Sequence, residues 1–348
     1  MLPMLTPLPD EFITGHAGRI FILNKIPRTQ RSLSHLRVFT EQAPGMNYLE
    51  ILAKLSLITT EQYAYSHTLA PFYLAVHSKR AVSWKSAPPS RHQLMIFASK
   101  GATKSTRFCP DCVKEDKDFW GYSYWRRSHQ LPGVTWCSKH QCTLYLAAES
   151  APLLHLPENL LAKGTSYNST ECEVAKRYGV ICADFLQRDV SVSTRTMTQL
   201  LQEQAERKQV RSRKGLIKSL HLDDIARLKC DPAWLKEYFP DVLTKERSSS
   251  LCRTYSSLEG NYGTQHYALA LALLFDSPDE AMLPLSAAHT KISISDAKKS
   301  LSKALKDLCA GMPLMKAMQQ NGAQMEDLEW LLRTSFSGAQ QPLSLEQA

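Results

Sequence analysis

The sequence contains no hydrophobic run that is long enough to cross a membrane. Its longest apolar run, residues 268–275, is far shorter than the roughly 18 residues that suggest a transmembrane helix. The amino terminus, with three prolines and two acidic residues among its first eleven positions, lacks the basic and apolar regions of a secretory signal. We therefore expect a cytoplasmic protein without a membrane partner.

Sequence patterns of catalysis are also missing. There is no Walker-type phosphate loop, and no nucleophile with its base or pair of carboxylates stands at a recognisable spacing. The eleven histidines are scattered singly, as is typical of capping and core residues. We therefore expect no catalytic residues and no enzymatic activity, so that any ATP hydrolysis belongs to a partner.

Length and composition indicate an ordinary folded protein. The chain has 348 residues, of which 43% are hydrophobic, and this is enough for two or three domains with their own cores. Its nine cysteines are an odd number spread over a long chain. This usage favours reduced thiols, with clustered cysteines acting as metal ligands.

Acidic residues are absent from one long stretch, residues 79–108. Of the net charge of +9, residues 1–150 carry +8, from 18 basic and 10 acidic side chains. Cations interleaved with aromatic rings favour contact with nucleic acid or a ribonucleoprotein, although a solvated loop with aromatic core anchors gives the same pattern. With two later arginines, the predicted contact residues are Lys79, Arg80, Lys85, Arg91, Lys100, Lys104, Arg107, Arg126 and Arg127.

Helical periodicity dominates the amino-terminal region. Asp10 is placed to cap a helix that Pro27 ends, and apolar spacing predicts further helices over 32–42, 48–57 and 60–69, the last stopped by Pro71. These four short helices predict a small helical domain over residues 1–85. The run Ser-Ala-Pro-Pro-Ser at residues 86–90 is the candidate boundary.

The sharpest motif is a pair of short metal-binding spacings. Cys109-Pro110-Asp111-Cys112 is followed, 24 residues later, by Cys137-Ser138-Lys139-His140. Two knuckles of this kind supply the four tetrahedral ligands that zinc favours, and Cys109, Cys112, Cys137 and His140 leave no open coordination position. The spacing therefore predicts one structural Zn²⁺ site in a ribbon domain over residues 91–150, with short strands such as 143–146.

Neighbouring residues leave two questions open. His129 and Cys142 are near enough in sequence to be rival ligands, although a buried thiol is the more ordinary role for Cys142. The aromatics of the ribbon are interpreted as its small core rather than a ligand surface. They are Phe119, Trp120, Tyr122, Tyr124, Trp125 and Trp136.

The remaining chain returns to helical periodicity after an irregular segment over 151–170. Helices are predicted over 223–239 and 267–275, and Ser295 is placed to cap another that Gly311 closes. A further helix from Met325 to Leu332 gives the outline of a helix-turn-helix. The acidic residues near the start of this helix would repel DNA phosphates. Three roles remain possible for it: reading DNA, packing against another protein, and an ordinary structural helix. We expect a helical carboxy-terminal domain over 151–336, a flexible tail over 337–348 and a mainly α fold.

Several of these residues carry a family resemblance. The stretch Arg107 to Cys112, the run Tyr124-Trp125-Arg126-Arg127 and Cys137 to His140 with Leu144 resemble the zinc-binding signature of the TniQ/TnsD proteins. The opening Leu8-Pro9-Asp10-Glu11 and the segment 60–69 are similar to the family's amino-terminal pattern. The resemblance covers roughly residues 8–146 well and short stretches near 231–234 and 265–275 loosely.

The resemblance implies a role in choosing the target of a multi-subunit transposon. In its RNA-guided, CRISPR-associated branch, a homodimer rides on the Cascade effector and hands the target DNA to an AAA-type ATPase regulator, which recruits the transposase. It implies a bacterial protein that joins the nucleoid during transposition. One departure is that residues 147–150 read Ala-Ala-Glu-Ser where relatives commonly carry another Cys-x-x-Cys, so a single metal site is expected.

Three functions are compatible with the sequence. The first, which the modest length favours, is this non-catalytic adaptor between a guide-RNA effector and the transposition machinery. The second is a direct, sequence-specific DNA binder that recognises an attachment site, as on the TnsD side of the family. The third is an unrelated zinc hydrolase or nuclease, which would need an open coordination position.

Overall fold

The structure is a computed structural model in which two compact units, residues 1–283 and 284–348, are distinguished by their internal contacts. It describes residues 6–27, 36, 45–77, 83–85, 88–98, 106–147, 155–166, 172–210, 221–244, 249–255, 262–313 and 316–317, with only the backbone described for 98, 166 and 286–301. The predicted boundaries at residues 85, 91, 150 and 336 do not coincide with the division between these units, and the domain scheme stays a prediction.

The described chain is mainly helical, as predicted. In chain order the α-helices are α1 (Ile13–Leu23), α2 (Tyr48–Leu55), α3 (Thr60–His67), α4 (Ala70–Leu74), α5 (Arg91–Ala98), α6 (Pro110–Trp120), α7 (Glu173–Gln187), α8 (Thr194–Arg207), α9 (Leu222–Lys229), α10 (Pro232–Tyr238), α11 (Pro240–Leu243), α12 (Ser250–Arg253), α13 (Thr264–Leu274) and α14 (Pro278–Cys309). Short 3₁₀ helices cover Arg127–Gln130 and Pro157–Leu160. Among the described residues, no helix combines the length and the apolar character needed to cross a bilayer.

The strands are all two residues long: β1 (Val76–His77), β2 (Arg107–Phe108), β3 (Trp136–Cys137), β4 (Cys142–Thr143), β5 (Tyr145–Leu146), β6 (Thr165–Ser166) and β7 (Val192–Ser193). Strands β2, β5 and β6 form an antiparallel sheet with β5 in the centre, and β3 pairs antiparallel with β4. Strand β1 pairs in parallel with the distant β7, Val76 opposite Val192. The short strands predicted for the ribbon are therefore present.

The core of the first unit is centred on α13, which is buried from Tyr267 to Leu274. A helix that is apolar on every side must be covered on every side, and α13 packs against α7, α8 and α4. The helix α7 connects this core to the cysteine-bearing segment. Its Tyr178 hydroxyl donates to the Pro132 carbonyl at 2.7 Å, and Trp234 on α10 donates to the Gly133 carbonyl at 2.8 Å.

The start of α1 differs from the sequence expectation. Asp10 is not the cap, because Phe12 holds the N-cap position without a side-chain hydrogen bond. Instead, the Asp10 carboxylate accepts hydrogen bonds from Arg127 at 2.7 Å and from the Ser128 hydroxyl at 2.6 Å. The helix also ends before Pro27, since the Asn24 side chain donates to the Ile20 carbonyl at 2.8 Å and closes the last turn.

Prolines begin helices here where the sequence analysis expected them to end one. Pro71 lies in the first turn of α4, so that α3 stops at His67 and a new helix follows almost at once. Pro232 likewise starts α10, after Asp231 caps it by accepting from the Ala233 amide at 2.7 Å. Both follow from the lack of an N–H, which is harmless in a first turn. The helical period predicted over 223–239 is therefore present, divided into α9 and α10 at Asp231.

Other expectations have mixed outcomes. The predicted helices over 48–57, 60–69 and 267–275 are present within a few residues. The predicted helix over 32–42 lies outside the described residues except for Leu36. The segment 151–170, expected to be irregular, contributes β6 to the central sheet.

In the second unit, Ser295 is not a cap. Helix α14 begins at Pro278, where Ser277 accepts from the Glu280 amide at 3.1 Å, and continues through Ser295 to Cys309. Gly311, with φ of +89°, follows the helix as expected. The second helix of the predicted helix-turn-helix, 325–332, and the tail over 337–348 lie outside the described residues.

Candidate metal centre

The first two candidate ligands are held by the start of a helix. Cys109 is the N-cap of α6, and its sulfur accepts from the Cys112 amide at 3.5 Å. Pro110 occupies the first turn, where the absence of its N–H costs no hydrogen bond. The sequence predicted two turns of the same kind, but this knuckle is a helix N-terminus, whose aligned amides favour negative thiolates.

The other two candidate ligands come from a β-hairpin. Cys137 ends β3 directly opposite Cys142 at the start of β4. The Gln141 amide donates to the Cys137 carbonyl at 2.8 Å, and Gln141 has a positive φ of 49°. This tight turn carries His140 and aims its ring at the sulfur atoms.

The four predicted ligands meet in one cluster. One donor atom from each of Cys109, Cys112, Cys137 and His140 lies within 4.8 Å of every other. The Nδ1 atom of His140 is 3.4, 3.2 and 3.8 Å from the sulfurs of the three cysteines in that order, and the Cys112 and Cys137 sulfurs are 3.8 Å apart.

These distances fit a tetrahedral metal ion. An ion bound at about 2.3 Å to sulfur and about 2.0 Å to nitrogen separates its ligand atoms by about 3.5 to 3.8 Å. The three cysteines are at most 2% exposed, so an ion there would be shielded from water. The buried Cys3His cluster can therefore hold a metal ion, and it would close the coordination sphere with protein atoms.

A carboxylate orients the histidine from outside the cluster. The Nε2 atom of His140 lies 2.8 Å from Glu115, which stands one turn after Cys112 on α6. Lys139 also forms an ion pair with this carboxylate. The hydrogen bonds from Lys139 and His140 lower the pKa of Glu115 to about 2. With Nε2 bonded to Glu115, Nδ1 is left to face the sulfurs, an arrangement that metal-binding histidines commonly adopt.

The segment that contains this centre matches a known family. Residues 2–144 match the TniQ family model. The match covers 143 of the 348 residues, so the similarity to the TniQ family is confined to this segment. A curated relative, the Transposon Tn7 transposition protein TnsD of Escherichia coli, is 28% identical over 93 residues. That alignment covers 24% of this chain and 18% of TnsD, so the chain matches less than a fifth of that relative's length.

Within the TniQ segment, the predicted contact residue Arg107 is fully buried. Its guanidinium donates to the Val134 carbonyl at 2.6 Å and to the Leu131 carbonyl at 3.2 Å, and it stands over the ring of Tyr238. These contacts attach the loop before β3 to the metal-bearing segment and to α10. Arg107 therefore stabilises the fold of this segment, whereas the sequence analysis expected it to contact nucleic acid or an effector.

Arg126 and Arg127 also have their partners inside the TniQ segment. Arg126 donates to Asp116 on α6 at 2.5 Å and stands over the ring of Tyr124. Arg127, 7% exposed, pairs with Asp10 at 2.7 Å and donates to the carbonyl of Tyr65. Arg126 thus links residues 126–127 to α6, and Arg127 links them to α3. These internal contacts take the place of the expected surface contact.

The other predicted contact residues lie at the surface or beyond the description. Lys85 is 3.6 Å from Asp189 and Arg91 is 2.6 Å from Glu50, both in exposed ion pairs. Four of the predicted cations lie outside the described residues, namely Lys79, Arg80, Lys100 and Lys104. A contact role for these six side chains stays a prediction.

Of the six aromatic residues, Tyr122 and Trp136 are half-buried, and the other four divide into two groups. Tyr124 and Trp125 are buried, as the core interpretation requires, with Trp125 donating to the His155 carbonyl at 2.7 Å. Phe119 and Trp120 are not core residues, because at the end of α6 they are 77% and 40% exposed. The rival ligand Cys142 lies 3.4 Å from the Cys109 sulfur and groups with Cys109 and Asp111.

Sequence reasoning missed the residues that support the centre from outside. Glu115 orients His140, and Gln130 clamps β2 by accepting from the Arg107 amide at 3.1 Å and donating to its carbonyl at 2.7 Å. A signal for Glu115 was available, since it follows Cys112 by three residues and so lies on the same helix face. No local pattern marks Gln130, whose contacts cross 23 residues.

Proposed function

We propose that this protein is a non-catalytic target-selection component of a multi-subunit DNA transposon. The TniQ match over residues 2–144, which include all four candidate metal ligands, carries the proposal. The relative TnsD is by name a transposition protein, and the alignment to it supports the same process.

The metal in this proposal is a single structural Zn²⁺. Three thiolates and an imidazole are the donors that zinc prefers in closed, four-coordinate sites. When bound, the ion supplies a cross-link between the start of α6 and the hairpin β3–β4, elements with few apolar residues of their own. Full ligation by protein atoms leaves no position for a reacting water, and this disfavours the hydrolase or nuclease.

Between the two targeting roles we propose the adaptor, because docking on the protein subunits of an effector depends less on phosphate-contacting cations than direct DNA binding does. Arg107, Arg126 and Arg127 use their guanidinium groups within the TniQ segment, so they are not available to displace counterions from DNA. We therefore propose a cytoplasmic homodimer that docks on a guide-RNA Cascade effector. It presents the DNA target to an AAA-type ATPase regulator, and it joins the nucleoid during transposition.

Co-purification tests the adaptor role. The tagged chain, co-expressed with a guide-RNA Cascade effector complex, is expected to elute with that complex and its guide RNA at physiological salt. The variant Arg107→Glu, which is expected not to fold because Arg107 is fully buried, serves as the negative control. Elution of the folded wild-type chain without the complex would contradict the adaptor.

Electrophoretic mobility shift tests the alternative, direct recognition of an attachment site, which the similarity to TnsD favours. The purified protein is titrated against target and scrambled duplexes over a salt series. The adaptor predicts weak binding that does not distinguish the two duplexes and vanishes with salt. Tight binding to one duplex without the effector would establish the direct binder instead.

A further inference from the structure

A fifth sulfur stands beside the four candidate ligands. Cys142, at the start of β4, has its sulfur 3.4 Å from the sulfur of Cys109. Cys142 lies directly opposite Cys137 in the hairpin, so both side chains project from the same face of the two strands. The proposed four-ligand zinc site leaves this thiol without a metal bond, in contact with a ligand.

The two sulfurs differ in their access to solvent. Cys109 is fully buried, whereas Cys142 is half-buried and its thiol donates to the exposed carboxylate of Asp111 at 3.8 Å. A small oxidant that approaches the centre from solvent therefore meets Cys142 before Cys109.

The separation of the two sulfurs is also close to what a disulfide needs. A disulfide bond is about 2.05 Å long, so the sulfurs must approach by roughly 1.4 Å. Side-chain rotation about the two Cα–Cβ bonds supplies movements of this size. Cys109 lies at the N-cap of α6 and Cys142 at the start of β4, so the bond would join the two elements that carry the ligand set.

We propose that Cys142 is an oxidation site, at which a hydroperoxide drives formation of a Cys109–Cys142 disulfide that opens the metal centre. This inference rests on the proposed zinc site and goes beyond the targeting role.

The chemistry balances in two steps. As the Cys142 thiol passes its proton to the Asp111 carboxylate that accepts its S–H, the sulfur attacks one oxygen of hydrogen peroxide and the O–O bond breaks. The sulfur becomes a sulfenic acid, and the departing hydroxide takes the proton to form water. The Cys109 thiolate then attacks the sulfenic sulfur, the S–S bond forms and hydroxide leaves. The two sulfurs lose two electrons, and these reduce one peroxide. A dithiol reductant reverses the change by thiol–disulfide exchange.

The disulfide removes one of the four ligands from the ion. The remaining three donors, on Cys112, Cys137 and His140, no longer close the coordination sphere, and the ion becomes open to water and to chelators. Cys109 is the N-cap of α6. When its sulfur no longer binds the ion, the start of α6 loses one of its two metal bonds, and the link between this helix and the hairpin β3–β4 is weakened. Oxidation thus converts a rigid cross-link into a releasable one.

The test compares zinc release from wild-type protein and Cys142→Ser, each purified whole in its metal-bound form. Both are treated with hydrogen peroxide, and released zinc is followed with a chromogenic chelator. We expect equal zinc content at the start and release on the order of tenfold slower from Cys142→Ser. Peptide mapping of the oxidised wild type is expected to show a Cys109–Cys142 disulfide that dithiothreitol removes, with zinc then taken up again.

The matched control is Cys252→Ser, which removes another half-buried thiol on α12, away from the centre. It is expected to release zinc at the wild-type rate. Equal release rates for wild type and Cys142→Ser, or a map that pairs Cys112 with Cys137 instead, would overturn the inference. So would the loss of zinc from untreated Cys142→Ser and from a second variant, Cys142→Ala, since Cys142 would then be a ligand. Wild-type protein that is purified without metal would contradict the proposed zinc site. The disulfide map tests the oxidation of Cys142 separately, because it reports whether the Cys109–Cys142 bond forms.

Discussion

Glu11 and Arg19 form a buried, bidentate ion pair near the amino terminus. Both carboxylate oxygens of Glu11 accept from the guanidinium of Arg19 at 2.7 Å, and the side chains are 0% and 1% exposed. Arg19 also donates to the Thr6 carbonyl at 2.9 Å, and the Leu8 amide donates to Glu11 at 2.8 Å. The pair joins the segment before α1 to the middle of that helix, with the remaining polar atoms hydrogen-bonded as a buried pair requires.

Removal of one member of this pair is predicted to destabilise the first unit strongly. Arg19→Met leaves the Glu11 carboxylate buried without its partner, and we expect a loss of about 3–5 kcal/mol in the free energy of unfolding. Urea unfolding followed by circular dichroism measures it. Lys85→Met, which breaks an exposed pair with Asp189, is the control and is expected to cost less than about 1 kcal/mol. Equal losses of unfolding free energy in the two variants would show that the buried pair contributes no more to stability than the exposed one.

Glu115 is predicted to strengthen metal binding without being a ligand. In Glu115→Gln the charged acceptor for His140 and Lys139 is lost, and we expect metal affinity to fall by about 10- to 100-fold. Competition with a chelator of known affinity measures the change. Glu173→Gln, at an exposed pair with Lys176 on α7, should leave the affinity at the wild-type value. An unchanged affinity in Glu115→Gln would contradict the orienting role.

Gly15 is predicted to be intolerant of a side chain. A Cβ atom at this position would lie 2.7 Å from the Cβ of Trp125, closer than two carbon atoms approach. We expect Gly15→Ala to destabilise the protein by about 1–3 kcal/mol. Gly179 on α7 is the matched control, since its nearest neighbour is 3.6 Å away, and Gly179→Ala should stabilise by up to about 1 kcal/mol. Thermal unfolding of both variants checks this, and stabilisation by Gly15→Ala would count against the packing of α1 on Trp125.

His67 is predicted to make stability fall in mild acid. Burial lowers the pKa of His67 from 6.5 to about 4, with the charge of Arg127 acting in the same direction and the hydrogen bond to the Glu11 carbonyl opposing them. The folded state therefore keeps His67 neutral where the unfolded state binds a proton. Stability is lost as the pH falls from about 6.5 towards 4, by up to about 3 kcal/mol from this residue, and the loss stops below the folded pKa.

The variant His67→Gln isolates this contribution. It can still donate to the Glu11 carbonyl but does not titrate, so its unfolding free energy should change less between pH 7 and pH 5 than that of wild type. His92→Gln, at an exposed position, should keep the wild-type pH dependence. Parallel pH profiles for wild type and His67→Gln would refute the prediction.

The basic stretch is predicted to contain two functionally different kinds of cation. Arg107→Glu replaces a donor with a carboxylate that faces the Val134 and Leu131 carbonyls in a fully buried site, and it should prevent folding, as seen by circular dichroism and metal content. The double variant Lys100→Glu and Lys104→Glu should remain folded and metal-bound while its association with the effector or nucleic acid weakens with a smaller salt dependence. Normal association of this double variant at physiological salt would remove the basic-stretch hypothesis.

Some elements could be predicted because their cause is local. The two-residue spacing within Cys109–Cys112 and within Cys137–His140 brings each pair of donors together on one local element, a helix start and a hairpin turn, as a candidate metal site requires. The apolar run in α13 likewise predicts a buried helix, because its residues offer no polar face that could point to water. By contrast, Asp10 was predicted as a helix cap and instead pairs with Arg127, 117 residues away. A carboxylate satisfies either role, and sequence periodicity does not distinguish them.

The sequence by itself determined the mainly helical fold and the spacing of the four candidate ligands, because both depend on short patterns read along one stretch of chain. Only the tertiary structure decided which cations are free. Arg107, Arg126 and Arg127 look like any basic surface in sequence, yet folding brings carbonyls, Asp116 and Asp10 to their guanidinium groups. The number of charged side chains can be counted from the sequence. Whether a charged side chain can contact another molecule depends on its burial and on partners that are distant in the chain, and only the folded protein shows these.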